Sequence, residues 1–334
     1  MLNDRISHAV AIGEIKIAAG EEIYAPHREA KVLEKICSWN EGPILDDSIK
    51  AIYREVMSAA LILEKSLSIA YLGPAATFTH QAALKRFGSS LKYAAQKTIS
   101  DVFVEVAHGR ADYGVVPVEN STEGVVTHTL DMFVDSDLQI VSQITLPIQH
   151  CLVTREKGKS EIQRLYSHPQ ALAQCRGWYQ RNLARAEVVE TSSTTRAAEM
   201  ARDEPGSAAI ASALSAELYD LEILERDLQD SPDNETRFLV LGRKCGESTG
   251  KDRTSLMFGI QHEVGALHEA LRVFHEAAIN MTRIESRPSR RKAWEYFFFV
   301  DIDGHQKDER VAAALDTLRK TCNSVKILGS YPAV

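Results

Sequence analysis

The sequence lacks most features that would mark a special environment. Its five cysteines, Cys37, Cys151, Cys175, Cys245 and Cys322, are scattered, with no Cys-x-x-Cys pair. That argues against a disulfide framework or a zinc site and reads as reduced thiols. No apolar run approaches the roughly 18 residues of a membrane span. Met1-Leu2-Asn3-Asp4-Arg5 has neither a basic nor an apolar leader region, so a cytoplasmic protein is expected. Positive charge is not in excess either: 39 Lys+Arg against 46 Asp+Glu, a net charge of −7, argues against nucleic-acid or anionic-membrane partners. No Gly-x-Gly-x-x-Gly follows a predicted strand. Gly246-Glu247-Ser248-Thr249-Gly250-Lys251 has three residues between its glycines, and Asp252 stands where a phosphate loop has Ser or Thr, so it reads as a flexible linker and no nucleotide cofactor is expected.

What is present is an ordinary globular composition, 44% hydrophobic and 25% charged over 334 residues, enough for two or three domains. Residues 1–65 read as three helices broken at Gly20 to His27 and Asn40 to Leu45. Ile6, Val10 and Ile17, then Ile52, Val56, Leu61 and Leu63, fall at helical spacing. So thin an all-α unit is expected to dimerise to bury its remaining apolar face.

Residues 67–245 change to short apolar strands, such as Ile69-Ala70-Tyr71-Leu72 and Tyr113-Gly114-Val115-Val116-Pro117-Val118, alternating with Ala-rich helices. This predicts a two-lobed α/β unit with a mainly parallel sheet. Residues 253–334 predict an α+β, ferredoxin-like unit. Its elements are strand Ser255–Ile260, helix Ala266–Ala277, strands Met281–Ser286 and Trp294–Ile302, helix Glu309–Lys320 and a last strand near Val325–Leu328.

The most telling stretch is Ser231-Pro232-Asp233-Asn234-Glu235-Thr236-Arg237-Phe238-Leu239-Val240-Leu241. A turn runs into a buried strand, placing a hydroxyl and a guanidinium at its edge, which suits a proton donor beside an anion clamp. Four junctions are rich in hydroxyls and amides: Gly73 to His80, Glu119-Asn120-Ser121-Thr122-Glu123-Gly124, Ser167-His168-Pro169-Gln170 and Thr191 to Arg196. Each is expected to end at a helix N-terminus, and together they favour a small polyanionic substrate such as a dicarboxylate.

The Gly-Pro-x-x-Thr-Phe-Thr loop, Val116-Pro117-Val118-Glu119-Asn120-Ser121, Ser167-His168-Pro169-Gln170 and Thr236-Arg237-Phe238 resemble the prephenate dehydratase family, with Ala76 where that family commonly has Gly. The resemblance implies a periplasmic-binding-protein-like fold and a reaction that removes water and carbon dioxide from prephenate with neither metal nor organic cofactor. It implies Thr236 as general acid, Arg237 as its orienter or carboxylate clamp, and Asn120, Ser167 and Gln174 in the substrate pocket, with Thr77 and Thr79 at its floor. His80 and His168 are alternative acids, although a His in a helix's first turn is ordinarily structural.

Arg5 and Lys16 lie eleven residues apart, about three turns, on nearly one helix face. With Tyr24-Ala25-Pro26-His27-Arg28-Glu29 and Glu64 they resemble the all-helical chorismate mutase domain. By that resemblance Arg5, Lys16 and Arg28 grip the chorismate dicarboxylate, Glu29 meets its hydroxyl, and a protonated Glu64 faces the ether oxygen. Two departures are Ala25, where many members carry an acid, and a first helix that opens late. On that reading mutase activity is expected to be weaker than dehydratase activity.

Gly265-Ala266-Leu267, with Asn280 and Glu285-Ser286-Arg287-Pro288, resembles the ligand motifs of ACT regulatory domains. That implies phenylalanine as effector, bound between paired subunits. Three readings stand: a bifunctional mutase and dehydratase, a dehydratase whose helical domain only dimerises, and an amino-acid sensor without chemistry. Thr236-Arg237 argues against the sensor.

Overall fold

A computed structural model describes residues 2–20, 23–289 and 296–333. Three helices come first: α1 (Leu2–Ala18), α2 (Pro26–Ser38) and α3 (Asp46–Glu64). Proline opens α2, where its missing N–H forfeits no helical bond. The helices bury little against one another. Gly13 is the buried residue of α1, whereas Ile12, Ile15, Ile17, Ile52 and Leu63 are each more than half exposed. Ile17, Ile52 and Leu63 therefore do not form the inward seam that their spacing suggested. What is buried faces the next unit: Ile23, Tyr24 and Leu61 share a core with Leu67, Ile69, Phe87 and Tyr113.

The middle segment runs β1 (Ser68–Leu72), α4 (Phe78–Phe87), β2 (Lys92–Gln96), α5 (Ile99–Ala107), β3 (Tyr113–Asn120), β4 (Gly124–Val125), α6 (Thr127–Asp135) and β5 (Gln139–Pro147). The chain crosses into a second lobe: β6 (Cys151–Thr154), β7 (Arg164–Ser167), α7 (Pro169–Gln174), α8 (Arg176–Asn182), β8 (Glu187–Glu190), α9 (Thr194–Asp203), β9 (Ser207–Ala211), α10 (Ala213–Tyr219) and β10 (Glu222–Glu225). It then returns to the first lobe as β11 (Glu235–Gly242). The sheets are ordered β2-β1-β3-β11-β5 and β10-β6-β9-β7-β8.

Two lobes are as expected, but the sheets are mixed rather than mainly parallel. β1 pairs in parallel with β2 and β3, while β11 is antiparallel to both β3 and β5. The reason is topological: β11 re-enters the first sheet from the other lobe, between two strands that leave toward it. β6 is likewise antiparallel to β9 and β10.

The last unit comprises β12 (Asp252–Gly259), α11 (Ala266–Glu276), β13 (Met281–Pro288), β14 (Tyr296–Asp303), α12 (Glu309–Thr321) and β15 (Ser324–Pro332). Its order, β13-β14-β12-β15, is the ferredoxin-like one. Trp294, where the β14 strand was expected to begin, lies outside the described residues. The Gly246–Lys251 stretch is an organised turn rather than a flexible linker: the buried Asp252 carboxylate accepts from Thr249 N at 2.7 Å and Gly250 N at 3.1 Å. It thus occupies main-chain donors of the kind that cradle a phosphate in a true phosphate loop.

This unit docks on the first lobe. Met257, Phe297, Phe299, Leu328 and Tyr331 share one core with Val116, Val118, Leu130, Phe133, Leu239 and Leu241. Lys326 Nζ donates to the carbonyls of Phe133 at 3.0 Å and Ser136 at 2.8 Å, which close the end of α6.

Candidate active sites

Thr236 and Asn120 are direct partners across the β11–β3 ladder, so both side chains reach the same sheet face. Asn120 Nδ2 donates to Thr236 Oγ1 at 2.8 Å. Asn120 Oδ1 in turn accepts from Thr122 N and Glu123 N, both at 3.0 Å. Those bonds fold Glu119 to Gly124 into a turn toward β4, not the helix N-terminus expected there. The Thr236 oxygen is an acceptor on its protein side, which leaves its own proton to be donated into the cleft.

That cleft, between the lobes, has a volume of about 330 Å³ and is lined by Thr77, Thr79, Asn120, Gln174 and Thr236, with Phe78, His150, His168 and Ser193. The Thr77 hydroxyl is engaged locally, donating to the carbonyls of Leu72 at 3.1 Å and Pro74 at 3.0 Å, while it caps α4. His168 caps α7. His80 Nδ1 accepts from Ala76 N at 3.1 Å, and its ring stacks on Tyr71. His80 is therefore structural, and His168 has its Nδ1 committed to the cap while its ring lines the cleft. Ala76 has φ 61°, the left-handed conformation that explains the preference for Gly at this position.

Two expected site residues stand elsewhere. Ser167 is fully buried, and its hydroxyl donates to Ile210 O at 2.6 Å, behind the cleft wall. Arg237 follows Thr236 in the strand, so the two-residue period turns it to the opposite face. There it pairs with its ladder partner Glu119 at 3.3 Å and with Asp301 of the C-terminal unit at 3.7 Å. It neither orients Thr236 nor clamps a ligand in the cleft.

A second pocket, about 520 Å³, brings together Arg5, Lys16, Arg28, Glu29 and Glu64. Gly13 permits this: a Cβ there would lie 2.9 Å from Glu64 Cβ, so its absence lets α1 approach α3. Burial pushes the Glu64 carboxyl up from its ordinary range, against the pull of Lys16, which favours a protonated donor. Glu29 is paired at 3.0 Å with Arg86 of α4, whose Nε donates to the buried Tyr24 hydroxyl at 2.6 Å. The helical pocket is thus tied to the first α/β lobe.

In the C-terminal unit, Gly265 caps α11 with φ 85°, followed by Ala266 and Leu267. Asn280 donates to Asp303 at 3.0 Å. Glu285, Ser286, Arg287 and Pro288 lie on β13, an edge strand whose backbone is open to another chain. Arg287 forms a two-nitrogen contact with Asp131 of α6, all distances 3.1 Å.

Sequence reasoning missed His150, and it read Asn234 only as a turn residue. Both are buried, and Asn234 Oδ1 accepts from Asn120 Nδ2 at 2.8 Å. The available signal for His150 was its place at the crossover between lobes, directly before β6.

An interlobe cleft whose apolar walls carry hydroxyls and amides, a charged helical pocket and a ferredoxin-like domain with an open edge define a multidomain enzyme acting on small molecules. Family profiles match in the same order: chorismate mutase type II over residues 1–65, prephenate dehydratase over 69–246 and ACT domain over 254–320. A bifunctional chorismate mutase/prephenate dehydratase from Aquifex aeolicus is 49% identical over 336 residues, covering 99% of this chain and 93% of that protein. The crystal structure of a prephenate dehydratase from Arthrobacter aurescens in complex with L-Phe has a TM-score of 0.74 at 36% identity, covering 80% of this chain and 90% of that one. A structure described as a novel type of quorum quenching acylase has a TM-score of 0.72 at 31% identity, covering 80% and 98%. The chain belongs to the bifunctional chorismate mutase/prephenate dehydratase family.

Proposed function

We propose that the chain converts prephenate to phenylpyruvate in its interlobe cleft, rearranges chorismate to prephenate in its helical pocket, and is inhibited by phenylalanine through its C-terminal unit. The single observation that carries the first activity is the Asn120 Nδ2 to Thr236 Oγ1 bond of 2.8 Å. As the ring carboxylate leaves as carbon dioxide, its bonding electrons enter the ring and the C4–O bond breaks. The departing oxygen takes the Thr236 proton and leaves as water, and solvent reprotonates Thr236. The charge that develops on Thr236 is met by an amide donor already in place, so the stabilisation needs no reorganisation. Proton donation of this kind contributes about 10²–10⁴-fold. Because Thr236 accepts from an amide rather than donating to a base, the arrangement does not favour an activated nucleophile of the acylase kind.

The mutase assignment rests on Arg5, Lys16 and Arg28 as fixed positive charge, Glu29 for the hydroxyl and Glu64 as donor to the ether oxygen. The division is 1–65, 67–245 and 253–334. The exposed Ile12, Ile15 and Leu63 and the open β13 edge support a homodimer or a higher homo-oligomer built from such dimers. In that dimer Gly265, Ala266, Leu267, Asn280 and Glu285 to Pro288 bind phenylalanine between subunits. The test is product formation by the purified chain: phenylpyruvate from prephenate, prephenate from chorismate, and loss of the former with added phenylalanine. Binding of prephenate without phenylpyruvate formation would instead make the cleft a sensor.

A further inference from the structure

The hydrogen bonds behind Thr236 form a chain whose polarity can be read in one direction only. Main-chain N–H groups can only donate, and two of them, Thr122 N and Glu123 N, converge on one amide atom of Asn120 at 3.0 Å, so that atom is the oxygen. Asn120 Nδ2 therefore donates to Asn234 Oδ1 at 2.8 Å as well as to Thr236. With its oxygen so placed, Asn234 uses its nitrogen to donate to Gln174 Oε1 at 3.1 Å. The same Gln174 oxygen lies 2.9 Å from His150 Nε2. An amide oxygen cannot donate, so His150 carries its proton on Nε2 and its Nδ1 is bare. Nδ1 is buried with no hydrogen-bond partner, so a second proton there would find no acceptor, and the ring stays neutral.

Two donors thus hold the Gln174 oxygen against the cleft wall and turn its nitrogen the other way. That nitrogen has only long contacts, 3.5 Å to Thr122 Oγ1 and 3.4 Å to Glu123 Oε1, and Gln174 lines the cleft. We propose that His150 is a positioning residue for the dehydratase: locked as the Nε2–H tautomer, it fixes Gln174 so that an N–H, and not a carbonyl oxygen, meets the anionic substrate. Without that lock the amide can turn over and present its oxygen to a carboxylate, which repels it. The inference rests on the dehydratase reading of the cleft. The phenyl ring of Phe78 packs edge-on against the imidazole at 5.4 Å between centroids, which holds the ring plane without taking part in the chain.

The test combines kinetics with nitrogen NMR on the full chain. His150→Phe keeps ring volume and removes the donor; KM for prephenate should rise about tenfold, the loss expected for one hydrogen bond, with a much smaller change in kcat. His150→Gln places an N–H where Nε2 stood and should restore KM to within about threefold of wild type. Histidine-labelled enzyme, with the His150 signal assigned by its absence in His150→Gln, should show the Nε2–H tautomer at neutral pH. An unchanged KM in folded His150→Phe, failure of His150→Gln to restore KM, or an Nδ1–H tautomer would each overturn the inference. If His150→Phe does not fold, His150→Gln and the tautomer decide. Thr236→Val run alongside separates the two levels: if it keeps full turnover the dehydratase reading fails, whereas an inactive Thr236→Val with an unchanged His150→Phe removes only the role of His150.

Discussion

Gly329 joins the C-terminal unit to the first lobe, and replacing it with Ala should separate regulation from catalysis. A Cβ at Gly329 would lie 2.2 Å from Ile140 O, 2.7 Å from Ile140 N and 2.9 Å from Ile140 C, all backbone atoms of β5. No side chain can move aside to admit it. Overpacking of this kind costs about 1–3 kcal/mol. The φ of 151° adds conformational strain that glycine does not feel, of order 1–2 kcal/mol for an L side chain. Together, about 2–5 kcal/mol is set against a contact that includes Lys326, Arg287–Asp131 and the shared apolar core. The sheet should lift from the lobe rather than the lobe unfold. The assay is phenylpyruvate formation with a phenylalanine titration, paired with limited proteolysis of the Gly246–Lys251 turn. Gly329→Ala should keep most of its turnover, lose at least about fivefold in sensitivity to phenylalanine, and be cut faster. Gly20→Ala is the control, since φ is 69° there but no heavy atom lies within 4 Å of the new Cβ. Wild-type inhibition and wild-type proteolysis of Gly329→Ala would refute the reasoning.

Arg237→Met should leave KM for prephenate within about threefold, because the guanidinium faces Glu119 and Asp301; its effect should appear in the phenylalanine titration, where loss of a half-exposed pair is worth about 1 kcal/mol or less. Arg86→Met leaves the partly buried Glu29 carboxylate without its 3.0 Å partner, so chorismate turnover should fall while prephenate turnover holds, and equal losses in both assays would show a general folding defect. Ala76→Gly relieves a φ of 61° and should be neutral or stabilising in a thermal melt, against the roughly 0.5–1 kcal/mol loss usual for Ala to Gly in regular structure. Burial lowers the folded-state pKa of His150, His80 and His27. The unfolded chain then binds more protons below about pH 6.5, so melting temperature should fall as pH drops through that value and continue down to the folded pKa values; His150→Gln should flatten the slope.

Much of this was legible because the informative residues sit at element boundaries. Pro26, Gly265 and the turn before Thr236 mark backbone events that leave local signatures, and Arg5 with Lys16 needs only helical spacing to share a face. The side of Arg237 was lost for a related reason. Adjacent strand residues point to opposite faces, and nothing local says which side holds the ligand; the β3–β11 ladder, between residues more than a hundred apart, decides it. Ser167 matched by motif, but whether its hydroxyl faced the cleft or Ile210 depended on the packing of β7 beside β9. The sheet directions were misread because β11 inserts between β3 and β5 after a whole second lobe has intervened. His150 was missed and Asn234 read only as a turn residue for the same cause: their function lies in partners that only the tertiary fold brings within 3.1 Å.

The most direct measurement is the prephenate turnover of purified Thr236→Val. It replaces the hydroxyl that Asn120 holds at 2.8 Å with a methyl of nearly the same size. With a general acid at this position, turnover falls by at least about 10²-fold while the melting temperature and prephenate affinity stay close to wild type, and Thr236→Ser recovers part of the loss. A folded Thr236→Val that forms phenylpyruvate at the wild-type rate would contradict the assignment of Thr236 as the proton donor.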